Sequence, residues 1–422
     1  MSCNELDLVK IGDICDVGSS KRIYASDYTE SGIPFYRSKE VIELATNQEI
    51  INELFISKDK FNQLDEKFGS PKNGDILLAS IGANMGIPYY VNTNYKFYFK
   101  DGNVTWFKNF KNNVNSKYIY YWIKSPLTQQ KFINIAIGSA QKALTIDSLK
   151  KLDIYLPPLE EQEKIANILS SLDDKIELNN EMNKTLEEMA QSIFKRWFVD
   201  FEFPNEDGQP YKSSGGEMVD SELGMIPKGW EVKKISELIE VKDGTHASPK
   251  VSKEGFPLVT SKHIKGDRIA IEDAKIISEK DYLEVNKRSK VDTGDILISM
   301  IGTVGLTYFV QEEEINFAIK NIGLFKTSQN KTLSEYFYLY LKSDNMKNYI
   351  EARLAGTTQK YISLGELRNI PVVLPNDSII DKFKKVVGVL LDKRRLNIIN
   401  NEELMITRDT LLPKLMNGEI MI

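Results

Sequence analysis

Asn73-Gly-Asp-Ile-Leu-Leu-Ala-Ser-Ile-Gly82 recurs as Thr293-Gly-Asp-Ile-Leu-Ile-Ser-Met-Ile-Gly302, an offset of 220 from Gly74 to Gly294. A second stretch, Ser116-Lys-Tyr-Ile-Tyr-Tyr-Trp-Ile-Lys-Ser125, returns as Ser334-Glu-Tyr-Phe-Tyr-Leu-Tyr-Leu-Lys-Ser343 at an offset of 218. Gly138, Gln141, Lys142, Leu149, Leu156, Pro157 and Asp174 meet Gly356, Gln359, Lys360, Leu367, Leu374, Pro375 and Asp392 at the same 218. Matched features in one order set the architecture before any local reading does: a unit of about 200 residues is used twice.

Both units share an internal plan. Short β-type runs, such as Asp75 to Ile81 and Lys96 to Phe99, alternate with turn signals and one amphipathic helix around Lys117 to Ile123, which predicts a compact α/β domain. Leu156-Pro-Pro158 then stops a strand and opens a helix, with Glu160, Glu161 and Glu163 near its start, where carboxylates suit the helix dipole. Apolar residues follow at Ile165, Leu169, Leu172, Ile176, Leu186, Ala190, Ile193 and Trp197, interrupted only where Asn179 and Asn183 stand. The spacing predicts a helix of about 40 residues, near 60 Å long. In the second copy the stripe is Phe383, Val387, Leu390, Leu404, Leu411 and Leu415, with Asn397 and Asn401 matching the asparagines. Such a pair suits a coiled coil whose asparagines fix the register, although the same residues would also suit solvent-facing positions. Pro204 to Pro210 and Ser213 to Gly216 read as a polar linker ending at Ile226-Pro-Lys-Gly-Trp230.

The 422 residues, 41% hydrophobic and 27% charged, fit an ordinary globular protein of two or three domains. Cys3 and Cys15 cannot build a disulfide framework or a zinc cluster, which fits a reducing, cytoplasmic setting. The first residues carry no apolar core of a signal peptide and no stretch approaches a membrane span, so neither export nor a membrane is expected. Gly-x-Gly and Gly-Lys are absent, which removes the dinucleotide fingerprint, the usual S-adenosylmethionine cradle and the P-loop. The lone Pro157-Pro158 is followed by Leu159, not the aromatic of an amino-methyltransferase pocket, and Pro-Asp is missing. Only His246 and His263 are available for histidine chemistry. Elimination favours a binding protein over an enzyme, with no cofactor and no metal.

The net charge of −5 hides an uneven distribution. Residues 1–150 carry +2 and residues 231–375 carry +1, whereas residues 151–230 carry −9. The acidity sits in the first long helix and linker, leaving each globular unit free to present a basic face.

In order, Leu156-Pro-Pro-Leu-Glu-Glu-Gln-Glu-Lys-Ile-Ala166 after a Gly-Ser-Ala-Gln-Lys segment, a coiled-coil helix, Ile226-Pro-Lys-Gly-Trp-Glu231 and Asp243-Gly-Thr-His-Ala-Ser-Pro249 resemble the specificity subunit of Type I restriction-modification systems. The resemblance spans essentially the whole chain. It implies two globular α/β target-recognition domains in tandem repeat, separated by two long α-helices forming an antiparallel coiled coil. The expected division is 1–157 for the first recognition domain, 158–202 for the central helical region, 203–230 for the linker, 231–375 for the second recognition domain and 376–422 for the C-terminal helical region. Each domain would read half of a bipartite double-stranded DNA target. The helices would act as a ruler and as a dock for two methyltransferase subunits, through which restriction and translocase subunits join. The second copy departs from the pattern in having Leu374-Pro-Asn376 and no Glu-Glu-Gln run, which argues for unequal engagement of partners. Two readers on a rigid spacer suit half-sites about one DNA turn, 34–36 Å, apart. A helical scaffold that never reads DNA is the competing reading.

Comparison of the copies sorts candidate DNA contacts, kept positions going to backbone or structure and differing ones to base choice. Pro34-Phe-Tyr-Arg-Ser-Lys39 matches Pro257-Leu-Val-Thr-Ser-Lys262, so Ser38, Lys39, Ser261 and Lys262 would hold phosphate. Arg37 against Thr260 would discriminate bases, arginine suiting guanine O6 and N7. Asn84 and Thr303 sit in glycine-bounded loops that allow close approach. Ser139, Gln141 and Lys142, with Thr357, Thr358, Gln359 and Lys360, offer hydroxyls, amides and ammonium groups just before each long helix. Lys21, Arg22, Thr245, His246 and Lys250 complete the set from the start of each domain. The tyrosine-rich runs at Tyr89 to Phe99 and Tyr118 to Trp122 suit a core better than base stacking.

Overall fold

The computed structural model describes residues 7–139, 141–420 and 422, so that Cys3 and Ala140 lie outside the described residues. The chain divides into two units, Met1–Glu177 with Glu402–Ile422, and Leu178–Asn401.

The first unit centres on the quoted motif. Ile76–Ala79 is a strand with all four side chains buried, because it pairs on both sides, with Val104–Lys108 and Pro88–Tyr90. Asp16–Gly18 completes this four-stranded antiparallel sheet. Asp75 explains why Gly-Asp recurs: its buried carboxylate accepts from Lys72 N at 2.9 Å and from Trp106 Nε1 at 2.8 Å, pinning the turn into the strand. A second sheet joins Tyr28–Thr29, Leu54–Ile56, Ile33–Tyr36 and Tyr98–Phe99, the last two parallel. Asp7–Lys10 and Asp153–Leu156 close the domain as an antiparallel pair. The helix read at Lys117 to Ile123 spans Ser116–Lys124 and buries Tyr118, Tyr121 and Trp122.

The second unit repeats this plan. Ile296–Ser299, again fully buried, pairs with Thr307–Phe309 and Ile322–Phe325, and Val241–Asp243 is the outer strand. Lys275–Ile277, Val251–Thr260 and Ala318–Lys320 form the second sheet, and Glu231–Lys234 pairs with Pro371–Leu374. Asp295 keeps the turn-pinning role, accepting from Asp292 N at 2.8 Å and from the buried Lys326 Nζ at 2.5 Å.

The long helices run over Leu159–Phe198 and Asp377–Met416. Within the second unit Asn179 Nδ2 donates to Asn401 Oδ1 at 2.8 Å, and Asn397 Nδ2 donates to Asn183 Oδ1 at 2.9 Å. These four asparagines are buried and face one another across an antiparallel seam; the solvent-facing alternative does not hold. A buried amide finds its partner in only one register, whereas the flanking apolar side chains tolerate several. Phe383, Val387, Leu391, Ala190, Phe194 and Phe198 supply the apolar part, each fully buried leucine or phenylalanine contributing about 2 kcal/mol. In the first unit Leu412 and Leu415 pack into the cluster that holds Ile165, Ala166 and Leu169. Gln162 is fully buried at the helix start, donating to Pro157 O at 2.8 Å and Asn113 O at 3.1 Å and accepting from Asn115 N at 2.8 Å.

The segment expected to be a polar linker is folded against the second unit. Met218–Ser221 and Gly224–Pro227 form a hairpin, and Phe203 stacks between Tyr211 and Trp230 at centroid distances of 4.6 and 4.9 Å. Its polar composition hid three aromatic anchors spread over 28 positions. No helix among the described residues is long and apolar enough to cross a membrane.

Candidate nucleic-acid interface

The matched polar loops lie beside the matched glycine loops in both units. Gly82 N donates to Lys142 O and Gly302 N donates to Lys360 O, each at 3.0 Å, while Ile81 bridges Ala143 and Ile301 bridges Tyr361. The turn that presents the polar side chains requires glycine: Gly138 and Gly356 have φ of +102° and +90°, and a Cβ there would meet the carbonyl oxygens of Gln141 and Gln359 at 2.4 and 2.3 Å. Ser139, Gln141 and Lys142 are therefore exposed on one unit, and Thr357, Thr358, Gln359 and Lys360 on the other. Asn84 and Thr303 are exposed on the neighbouring loops.

In the second unit these elements surround a cleft of about 770 Å³ lined by Thr260, Ser261, Lys262, Lys265, Thr303, Asn321 and Gln359. Thr260, Ser261, Lys262, Thr303 and Gln359 were picked from sequence, and the fold brings them together. Lys262 is exposed and engages no partner among the described residues, as expected of a group kept for an anion. Ser261 has a structural duty that the expectation of phosphate contact did not include: its hydroxyl donates to Asn321 O at 2.9 Å and accepts from Met300 N at 3.3 Å. His263, immediately behind, is buried, and its Nδ1 accepts from Thr260 N at 2.9 Å. Burial, with help from Lys262, holds the imidazole below its ordinary pKa and so neutral.

Asp243-Gly-Thr-His-Ala-Ser-Pro249 reaches this cleft through its histidine. His246 Nε2 lies 2.8 Å from Asp243 Oδ2 and Nδ1 lies 2.9 Å from Asn321 Oδ1, while Arg288 pairs with the other oxygen of the buried Asp243. Thr245 is committed to the chain itself, its N–H donating to Ile319 O at 3.0 Å and its hydroxyl accepting from Ala247 N at 3.1 Å. Lys250 is exposed beyond the motif. Asn321 and Lys265 are cleft residues that sequence reasoning missed. The only local sign was an asparagine between two strands, which here takes the left-handed conformation at φ +53°.

The first unit keeps the same positions with different occupants. Arg37 is half-buried and its guanidinium grips Glu40 through Nη2 to Oε1 at 2.5 Å and Nε to Oε2 at 3.1 Å, leaving the Nη1 edge for a ligand. Ser38 opens the helix Ser38–Ala45, and Lys39 reaches Glu43 at 3.4 Å. Arg22 pairs with Asp101 at 3.1 Å, and Lys21 lies 4.8 Å from the Phe68 ring. Tyr98, Phe99, Tyr118, Tyr121 and Trp122 are buried, in keeping with a core role. Among the described residues no group of three His, Cys, Asp or Glu side chains suits a metal ion.

Comparison with known proteins agrees with the doubled site. The family model of the Type I restriction modification DNA specificity domain matches twice, over residues 4–188 and 227–401. The chain is 30% identical to the type I restriction enzyme MjaIX specificity subunit of Methanocaldococcus jannaschii, over 99% of this chain and 94% of that protein. It is 28% identical to the HindI specificity subunit of Haemophilus influenzae, over 83% and 87% of the two. The fold is similar to the crystal structure of a Type-I restriction-modification system S subunit from M. genitalium, with a TM-score of 0.58, 17% identity and coverage of 99% and 98%. With two matches spanning most of its length, each holding one of the paired loop systems, the chain belongs to the type I restriction-modification specificity family.

Proposed function

We propose that this chain is the non-catalytic reader of a bipartite double-stranded DNA target in a type I restriction-modification complex. Residues 1–157 and 231–375 each recognise one half-site, residues 158–202 and 376–422 set the gap between them, and residues 203–230 connect the copies. The observation that carries the reading is the duplication of one loop system whose lysine, glutamine and hydroxyl side chains face solvent in both units, with a cleft beside the second. Lysines position the phosphate backbone, and glutamine, threonine and arginine suit base edges.

Two methyltransferase subunits bind the helices, and restriction and translocase subunits join through them, in the cytoplasm where the DNA lies. The second long helix supports this with an outward row of Val386, Val389, Leu396, Ile399 and Ile406, exposed by 46, 67, 59, 40 and 67%. A row of that kind on a folded helix calls for a protein partner.

The test is binding of the specificity–methyltransferase complex to duplexes over a salt series. Sequence-specific affinity that falls steeply with salt is expected, with Lys262→Ala and Lys360→Ala each lowering the slope by about one counterion. Salt-insensitive or absent DNA binding would leave a protein scaffold as the surviving reading.

A further inference from the structure

The second reader is fastened to the long helices by an ionic cluster that also holds the wall of its cleft. Arg394, on the second long helix, is 7% exposed and sends its guanidinium three ways. Nη2 pairs with Asp267, Nε lies 3.4 Å from Glu187 Oε2 on the first long helix, and Nη1 lies 3.4 Å from Tyr338 Oη. Lys342, one turn beyond Tyr338 on the reader's own helix, reaches Glu187 Oε1 at 2.7 Å and Tyr338 Oη at 3.1 Å. Asp267 belongs to a tight turn in which Ile264 bridges Ile269 and Lys265 N donates to Arg268 O at 2.9 Å. Lys265 and Gly266, the residues just before Asp267, line the cleft.

Buried charges of this sort add little net stability compared with apolar packing, because desolvation offsets the attraction. What they supply is geometry, since a buried guanidinium with several oxygens around it tolerates little displacement. The first unit lacks the last link. There Asp173 takes Tyr121 Oη at 2.8 Å, Arg408 Nη1 at 2.6 Å and Lys124 Nζ at 3.7 Å, all from helices.

The geometry points to Asp267 and Arg394 as a positioning pair that ties the cleft wall of the second reader to the helices and thereby sets the gap at which the second half-site is accepted. This rests on the reading of the cleft as a DNA-binding surface. Asp267 touches no base in this role; it acts through Lys265 and Gly266.

The test uses the assembled specificity–methyltransferase complex, with duplexes carrying the mapped target at its native gap and at gaps one base pair longer or shorter. Asp267→Asn removes a side chain that is 45% exposed, so the fold is retained, and Arg394→Lys keeps the charge but loses the fork. Each variant is expected to reduce discrimination between native and altered gaps about tenfold, a size typical of coupling across one network. Dependence on the first half-site should be unchanged, and the double variant should add little to either single one. Unchanged gap discrimination in both single variants, or equal loss at both half-sites, would overturn the pairing. Lys262→Ala and Gln359→Ala, measured alongside, separate the two ideas. If they weaken second-half-site binding while Asp267→Asn and Arg394→Lys do nothing, only the positioning pair fails. If they too have no effect, the cleft does not read DNA and both fall.

Discussion

Lys124 and Lys342 occupy the same place in the repeat, 218 residues apart, and both reach an acid on the first long helix. Around them everything else differs. The first reader uses Asp173, held between Lys124 and Arg408, and burial, which would raise that carboxyl, is outweighed by these cations, so it stays below its ordinary pKa. The second uses Glu187, shared by Lys342 and Arg394, and adds Asp267 from its cleft wall. The helix starts diverge in the same manner. Gln162 anchors the first by three hydrogen bonds, whereas its counterpart 218 residues on, Ile380, is buried among Phe383, Val387 and other apolar side chains. One fold thus accepts polar or apolar attachment at a single position, provided that the reader is fixed to the helix that follows it.

The largest effect should come from changing the helices. Seven residues inserted in both, beside Asn179 and beside Asn401, preserve the facing asparagines and add about 10 Å, or about three base pairs at 3.4 Å each. Methylation mapping should find the same half-sites with a longer gap; new half-site bases with the old gap would contradict the ruler. Insertion in one helix alone breaks the Asn179–Asn401 and Asn183–Asn397 pairs and should abolish methylation.

Next in size is the helix-start comparison. Gln162→Ile leaves Asn115 N, Asn113 O and Pro157 O without their partner and should cost the first unit about 2–4 kcal/mol. Ile380→Ala should cost the second a similar amount through a cavity. Hydrogen exchange under mild denaturant, resolved by unit, reads both. A loss in the wrong unit would show that the two attachments are not independent.

Acid should separate the readers. Glu40 and His263 stand at equivalent positions, each accepting from the backbone N–H three residues earlier, at 2.8 and 2.9 Å. Burial lowers the His263 pKa, so below about 6.5 the unfolded chain binds a proton that the folded second reader resists, and stability there falls as pH falls through that range. Burial pushes Glu40 up, but Arg37 outweighs it and leaves the carboxyl below its ordinary value, so its stabilisation persists until near pH 4. Exchange rates between pH 7 and 5 should rise in the second reader first, and His263→Gln should remove the difference.

The smallest effect is expected at Arg37. Its guanidinium is already held by Glu40, so Arg37→Ala should shift base preference at the first half-site by less than Gln359→Ala shifts the second. Selection from randomised duplexes would measure both.

Much of this was legible in the sequence because it is periodic or repeated. The 218-residue repeat, the two helices and the asparagines that interrupt their stripes all depend on spacing along the chain. The cleft was half visible: Thr260, Ser261, Lys262, Thr303 and Gln359 stood out by comparing copies, but Asn321 and Lys265 did not, since neither has a counterpart that marks it. The linker misled because Phe203, Tyr211 and Trp230 stack only after the chain folds back. Arg394 and Asp267 are 127 residues apart, and no local pattern announces such a pair.

The most direct measurement is to co-express the chain with the methyltransferase subunit of its system and map methylated bases across the host genome by long-read sequencing. One two-part motif with a fixed gap, lost when the chain is omitted, is the predicted result. Methylation that is indifferent to the chain, or a single uninterrupted motif, would contradict two-headed reading.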